Sequence, residues 1–117
     1  MSLTVYHNPR CRKSREAVQY LNEIGKAFEI VKYLEQPFDL DTLKEVLNKI
    51  NKKPSEILRK NETLWKKEFS SKQWSEEEVL DLLISHPKLI ERPIVTDTKS
   101  GVLARPLENL VEFIQQP

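Results

Sequence analysis

The first 34 residues alternate between strand-like and helix-like patterns, and this alternation constrains the fold more than any other feature. The stretch LTVY, residues 3–6, is β-branched and aromatic, which predicts a short strand. Apolar residues then recur at helical spacing over residues 17–24, and Gly25 stands where a glycine often ends a helix. A second strand is predicted for FEIVKYL, residues 28–34. Together they predict a βαβ unit with two parallel strands and a right-handed crossover.

The middle of the chain predicts further helices. Apolar residues repeat at helical spacing after EQPFDLD, and Asp39 or Asp41 could cap the start of that helix. Residues 51–74 are polar and lack strand character, so we expect short helical turns and loops there. Ser75 and Glu78 have the spacing of a capping box, which predicts the start of another helix.

The last part of the chain returns to strands. Residues 94–104 predict a β-hairpin, and Pro106 fits the first turn of a final helix. The predicted order is therefore β-α-β, a helical insertion, then β-β-α. We expect an α/β protein in which helices flank a small mixed sheet, formed as one domain over residues 1–117.

Composition excludes several classes of protein. The 117 residues include 19 Lys and Arg against 18 Asp and Glu, so the net charge is only +1. A chain without a strong field of one sign is not expected to bind nucleic acid or anionic membranes in bulk. Neither a membrane span nor a signal peptide is predicted. With a single cysteine and therefore no internal disulfide, the sequence favours a reducing, cytoplasmic setting.

That cysteine, Cys11, lies in YHNPRCRKSRE, residues 6–16, between the first predicted strand and the first predicted helix. A sulfur there would lie near free N–H groups at the helix N-terminus, which favour an anion. Cations within four residues of it should act in the same direction; these are Arg10, Arg12, Lys13 and Arg15. A lowered pKa favours the thiolate, which is the nucleophilic form. The pattern thus indicates a reactive thiol rather than a buried structural cysteine.

Two polar neighbours are candidate helpers of the thiol. His7 could act as an imidazolium that favours the thiolate. Ser14 could donate its hydroxyl to the sulfur from the first helical turn, or it could be an ordinary serine at a helix start. Because Ser14 occupies the second position of a C-x-x-C pattern, the chain cannot resolve a disulfide alone and needs an outside thiol.

Three arginines far from the cysteine form a second group of candidates. They are Arg59, Arg92 and Arg105. Two of them directly precede a proline, in extended positions beside predicted elements. Sequence spacing alone does not show that they converge on Cys11. If they do, their guanidinium groups would form a cage for a small tetrahedral oxyanion. The sequence contains no phosphate-binding glycine loop and no spacing typical of metal ligands.

Five short segments occur in an order that resembles the glutaredoxin-linked arsenate reductase family. They are YHNPRCRKSRE, YLEQP, EILRKN, HPKLIERPIV and LARPLE, and they extend over nearly the whole chain. The resemblance implies a thioredoxin-like fold with a helical insertion. It also implies that Pro93 is the cis-proline that faces the active cysteine in such folds.

The same resemblance implies roles for the candidate residues. Cys11 would be the nucleophile, with His7 and Ser14 near its thiolate. The oxyanion would be bound by Arg59, Arg92 and Arg105. In the implied reaction Cys11 attacks arsenate, glutathione adds as a co-substrate, and glutaredoxin reduces the mixed disulfide as arsenite is released. No metal or bound cofactor is implied, and we expect a monomer.

Two other functions stay open at this stage. One is a glutathione-dependent thiol oxidoreductase on the same fold that does not use arsenate. The other is a non-catalytic regulator that binds RNA polymerase, as Spx-type proteins do. Retention of all three arginines favours arsenate reduction over the first, and the missing C-x-x-C argues against the second. Arg12 and Lys13 stand where well-characterised reductases of the family carry glycine and threonine.

Overall fold

The computed structural model describes residues 2–115, and its centre is a four-stranded mixed sheet. In spatial order the strands are β2 (Phe28–Val31), β1 (Leu3–Tyr6), β3 (Ile94–Thr96) and β4 (Gly101–Leu103). β1 is parallel to β2 and antiparallel to β3, which in turn is antiparallel to β4. The predicted mixed sheet, the parallel first pair and the hairpin are all confirmed.

The predicted crossover helix is also confirmed. Helix α1 (Arg12–Glu23) joins β1 to β2 and buries Ala17 and Leu21 completely. The chain leaves the helix through Gly25, two residues after Glu23, and Gly25 has a φ of 73°. A residue with a Cβ is strained in this left-handed conformation, so glycine suits the position.

The second strand is shorter than predicted. Residues 28–34 carry strand-like residue types, but pairing with β1 stops at Val31. The chain then turns, because the N–H groups of Glu35 and Gln36 both donate to the carbonyl of Lys32. This turn places Tyr33 in the interior, where only 2% of its surface is exposed.

Helix α2 (Leu40–Ile50) resolves the choice between two predicted caps. The Asp39 side chain accepts a hydrogen bond from the Thr42 N–H at 2.8 Å, so Asp39 and not Asp41 is the N-cap. The helix ends at Asn51 in a left-handed conformation with a φ of 56°. Asparagine tolerates that conformation better than most residues with a side chain.

The insertion between α2 and β3 is helical, as predicted. It contains a 3-10 turn at Pro54–Ile57, a π-helical turn at Trp65–Phe69 and helix α3 (Glu76–Ser85). The predicted capping box is present at the start of α3. The Ser75 hydroxyl accepts from the Glu78 N–H, and the Glu78 carboxylate accepts from the Ser75 N–H.

The final helix, α4 (Leu107–Gln115), begins one residue later than predicted. Pro106 was expected within its first turn. Instead the Pro106 carbonyl accepts a hydrogen bond from the Asn109 N–H at 3.0 Å, so the proline lies just outside the helix. None of the helices within residues 2–115 has the length and apolar character needed to cross a membrane.

Two apolar clusters pack on opposite faces of the sheet. The first joins the sheet to α1 and α4 and is built around Leu3, Val5, Ala17, Leu21, Val95, Ala104 and Leu110. The second joins it to α2, α3 and the insertion and includes Leu43, Leu47, Ile57, Leu83, Leu89 and Ile94. Alternation along each strand supplies both faces, since successive side chains point in opposite directions.

Truncating the buried face of α1 should test how strongly the core holds the helix that carries Cys11. We expect Leu21→Ala to lower the free energy of unfolding by about 2–4 kcal/mol, because it leaves a cavity at a fully buried position. Ile24 is 41% exposed, so Ile24→Ala should cost less than about 1 kcal/mol. Urea denaturation followed by tryptophan fluorescence measures both values. Equal losses would show that α1 does not depend on this contact.

Candidate active site

The sheet brings four separate chain segments to one edge. Tyr6, the last residue of β1, pairs with Val31 at the end of β2 and with Ile94 at the start of β3. Ile94 in turn pairs with Leu103 at the end of β4. Residues that follow β1, β2 and β4, or precede β3, therefore meet at this edge; they include Cys11, Tyr33, Arg105 and Arg92.

Arg59 reaches the same edge from the helical insertion. Its backbone N–H donates to the Leu89 carbonyl at 2.8 Å, and the Glu91 N–H donates to the Ile57 carbonyl at 2.7 Å. These two bonds hold Arg59 beside the segment that leads into β3. The insertion thus supplies a second arginine close to Arg92, which could not be inferred from sequence spacing.

Cys11 is the N-cap residue of α1, as the sequence predicted, and is 8% exposed. Burial alone raises the pKa of the Cys11 thiol. The backbone N–H of Ser14, the Arg92 guanidinium and the backbone N–H of Lys13 all oppose burial, and the net pKa lies below its ordinary value. The thiolate at the N-terminus of the helix therefore forms more readily than in a free cysteine.

The cations next to Cys11 in sequence bond to other groups and not to the sulfur. Arg12 and Lys13 pair with Glu16 at 3.7 and 3.8 Å, and the Arg12 side chain is 85% exposed. Arg15 donates to the Pro9 carbonyl at 2.9 Å. The cation that lowers the pKa of the thiol comes from the distant segment before β3, and the local cluster is largely a solvated helix face.

The surroundings of His7 disfavour the imidazolium form that the sequence offered as one possibility. Burial lowers the pKa of His7, and the nearby positive charges of Lys32 and Arg15 lower it further. The side chain is therefore neutral at neutral pH, since its pKa is below the usual value. Within residues 2–115 the buried Nδ1 atom of His7 has no hydrogen-bond partner.

Ser14 acts on the thiol through its backbone. Its buried hydroxyl oxygen accepts a hydrogen bond from the Asn8 N–H at 3.1 Å, which fixes the loop before α1. The backbone N–H of Ser14 lowers the pKa of the Cys11 thiol. Ser14 therefore acts on the thiol through its main chain, whereas its hydroxyl holds the loop before α1.

Two of the three candidate arginines come together around a carboxylate that the sequence did not single out. Arg59 Nε lies 3.7 Å from one oxygen of Glu91, and Arg105 Nε lies 3.9 Å from the other. Arg59 also pairs with Glu62 at 3.0 Å. Arg92 differs, because its buried Nε and Nη1 atoms have no hydrogen-bond partner within the described chain. Those donors could bind an anion beside Cys11.

Tyr33 was also missed as a site residue. Burial raises its pKa to about 12; Arg92 and Arg59 lower it, while Cys11 and Glu91 raise it. The phenol is therefore neutral and in electrostatic contact with both arginines, the thiol and the carboxylate. A tyrosine near the end of a predicted strand, at the start of YLEQP, was the available signal.

The remaining predicted site feature, Pro93, is confirmed in its geometry. The Arg92–Pro93 peptide bond is cis and Pro93 is buried. Beside the loop that carries the thiol lies a cleft of about 310 Å³, lined among others by His7, Pro9, Arg10, Lys32 and Leu34. The arrangement as a whole places a thiolate, unpaired guanidinium donors and an adjacent cationic cleft within one region.

The pH dependence of Cys11 alkylation should reveal the source of its lowered pKa. Only the thiolate reacts, so the rate of iodoacetamide labelling should rise at lower pH than for a free cysteine. Arg92→Gln should move this curve to higher pH, because it removes a cation that favours the thiolate. Arg12→Gln is the matched control and should leave the curve unchanged. A larger shift for Arg12→Gln would assign the effect to the local cluster.

Comparison with known proteins agrees with this arrangement. The model of the ArsC family matches residues 6–113. An arsenate reductase of Neisseria meningitidis is 38% identical, over 92% of this chain and 94% of that protein. The uncharacterized protein YfgD of Escherichia coli is also 38% identical, over 94% of each chain.

Solved structures show the same fold. The arsenate reductase from Vibrio cholerae superimposes with a TM-score of 0.87 at 35% identity, covering 96% of this chain and 97% of that one. The thioredoxin-like fold implied by the five sequence segments is therefore confirmed. Sequence match, fold and the order of the segments lead to one conclusion: the chain belongs to the ArsC family.

Proposed function

We propose that this protein is an arsenate reductase that works with glutathione and glutaredoxin. The observation that carries the proposal is the pairing of a thiolate-favouring Cys11 with Arg92, whose buried Nε and Nη1 atoms lack partners among the described residues. Guanidinium donors beside a nucleophile suit a tetrahedral oxyanion as the electrophile. The names of the relatives from Neisseria meningitidis and Vibrio cholerae support arsenate as that oxyanion.

The reaction begins at the sulfur. Cys11 thiolate forms a bond to arsenic, and one arsenate oxygen leaves as water after protonation. Arg92, Arg59 and Arg105 would hold the remaining oxygens and offset the charge that accumulates on them. The neutral phenol of Tyr33 could donate its proton to one of these oxygens in a hydrogen bond.

Electrons come from two thiols. A glutathione thiol replaces a second hydroxyl of the adduct, again with release of water. Arsenic(V) then gains two electrons and leaves as arsenite, while the sulfurs of Cys11 and glutathione are oxidised to one mixed disulfide. Because Cys11 is the only cysteine of the chain, glutaredoxin is needed to return it to the thiol.

The cleft beside the thiol loop is suited to the glutathione carboxylates. Arg10 and Lys32 line it and carry two positive charges against the one negative charge of Glu35, and Pro9 and Leu34 supply apolar contact. A co-substrate bound there would lie next to the loop from which Cys11 projects. No bound cofactor is needed for this sequence of steps.

One observation favours a second candidate, the glutathione-dependent thiol oxidoreductase. Glu62 and Glu91 already pair with Arg59, and Glu91 also pairs with Arg105, which reduces the positive charge offered to an anion. Disulfide exchange at Cys11 requires no oxyanion site. The two candidates differ in whether arsenite is produced.

Arsenite formation in the presence of glutathione, glutaredoxin and an NADPH-linked recycling system tests the proposal. We expect turnover by the wild type and none above background for Cys11→Ser, which lacks the nucleophile. Arg59→Gln should lower kcat/KM for arsenate roughly 10- to 100-fold through the loss of one anion ligand. Lys60→Gln is the matched control, because Lys60 is the exposed neighbour of Arg59 and should not matter.

Two results would contradict arsenate reduction. Wild-type protein that makes no more arsenite than Cys11→Ser would exclude it. If the same preparation reduces a glutathionylated disulfide substrate, the thiol oxidoreductase is the better assignment. Equal losses for Arg59→Gln and Lys60→Gln would remove Arg59 from the site.

A further inference from the structure

Glu91 is the feature of the site that the proposed reaction leaves unused. Its two carboxylate oxygens point toward different arginines, at 3.7 Å from Arg59 Nε and 3.9 Å from Arg105 Nε. A carboxylate between two guanidinium groups lies in the region where an oxyanion would have to bind. Its influence on Tyr33 places it near the thiol end of the site as well.

The position of Glu91 is fixed by the backbone rather than by its ion pairs. Its N–H donates to the Ile57 carbonyl at 2.7 Å, and the next two residues are Arg92 and the buried Pro93. The side chain can reorient, but the Cα cannot retreat from the site. A ligand held by the arginines would therefore meet this carboxylate.

Both ion pairs are too long for direct hydrogen bonds, which join nitrogen and oxygen at about 2.7–3.2 Å. Each guanidinium group has five N–H donors, so both arginines keep donors for a second anion. The side chain of Glu91 is 25% exposed, which allows it to shift while an anion binds. Glu91 and a bound oxyanion can therefore be present together.

An ionised carboxylate has only acceptor atoms. An oxyanion without a proton, such as sulfate, also has only acceptors, so the two repel each other across the site. Hydrogen arsenate and hydrogen phosphate carry a hydroxyl at neutral pH and can donate it to the carboxylate in a charge-assisted hydrogen bond. The same side chain thus opposes one class of anion and binds the other, which is an effective route to specificity.

We propose that Glu91 is a specificity-determining residue that selects tetrahedral oxyanions with a hydroxyl group and rejects fully deprotonated ones such as sulfate. The inference rests on the proposed function, because it requires that the arginines bind an oxyanion beside Cys11. It adds a discriminating acceptor to the cationic site. It also gives the position of Glu91 between two arginines a role other than stability, since partly exposed ion pairs contribute little.

Protection of Cys11 from iodoacetamide measures anion binding without turnover. The labelling rate is followed at neutral pH with increasing inorganic phosphate or sulfate, and chloride keeps the ionic strength constant. In the wild type we expect phosphate to protect Cys11 and sulfate to protect it only at roughly tenfold higher concentration or not at all. In Glu91→Gln the amide can donate to sulfate, so the two anions should protect at similar concentrations.

A matched control separates hydrogen-bond selection from simple loss of charge. Glu62→Gln also removes a carboxylate that pairs with Arg59, at 3.0 Å, and should keep the preference for phosphate. Far-UV circular dichroism checks that all variants are folded. The ratio of the phosphate and sulfate concentrations that protect Cys11 is the decisive quantity, since a purely structural change would weaken the binding of both anions alike.

Three outcomes would overturn the inference. The first is protection of the wild type by sulfate at the same concentrations as phosphate. The second is a loss of the preference in Glu62→Gln as complete as in Glu91→Gln. Either result removes the special role of Glu91 and leaves the oxyanion site intact. If neither anion protects the wild type or Glu91→Gln at any concentration, the oxyanion site itself is absent, and the proposed function fails together with the inference.

Discussion

The pairing of β1 with β3 in the middle of the sheet is the constraint on which the candidate site depends. Because these strands are antiparallel and Tyr6 pairs with Ile94, the loop after β1 lies beside the segment before β3. This register brings Arg92 to Cys11 across about eighty residues of sequence. A slip by one residue would turn every side chain of β3 to the opposite face and would separate the two groups.

Opposing effects set the pKa of the Cys11 thiol. Burial disfavours the charged sulfur, whereas the N–H groups of Ser14 and Lys13 and the guanidinium of Arg92 favour it. These hydrogen bonds and charges affect the thiol pKa strongly because the sulfur is largely removed from water. Without them, burial alone would raise the pKa and keep the thiol protonated. Helix α1 therefore has two functions, since its buried face anchors it and its N-terminus binds the thiolate.

The arginines show how acidic side chains moderate a cationic site. Glu91 and Glu62 compensate much of the charge of Arg59 and Arg105, whereas Arg92 keeps buried donors without partners in the described residues. One arginine thus keeps donors for an anion, and the other two are held in place by ion pairs. An arrangement of this kind keeps the guanidinium groups positioned, and it lets specificity depend on the carboxylate between them.

Some site residues could be predicted and others could not, for identifiable reasons. Cys11 as a helix N-cap followed from local pattern, because a strand, a turn and a helix are encoded over a few consecutive residues. The groups that lower the pKa of His7 could not be predicted, since burial and the approach of Lys32 depend on packing. Glu91 looked like one of many surface carboxylates until its neighbours were known, and Tyr33 looked like part of a strand.

The sequence by itself determined the elements with short-range causes. These are the helical and strand periodicities, the capping box at Ser75, the turn at Gly25 and the placement of the single cysteine. Tertiary structure alone decided which cation acts on the sulfur. Arg12 is adjacent to Cys11 in the chain but turns to Glu16 and solvent, whereas strand register brings Arg92 to the thiol. Electrostatic interaction depends on distance and burial in space, and sequence separation fixes neither.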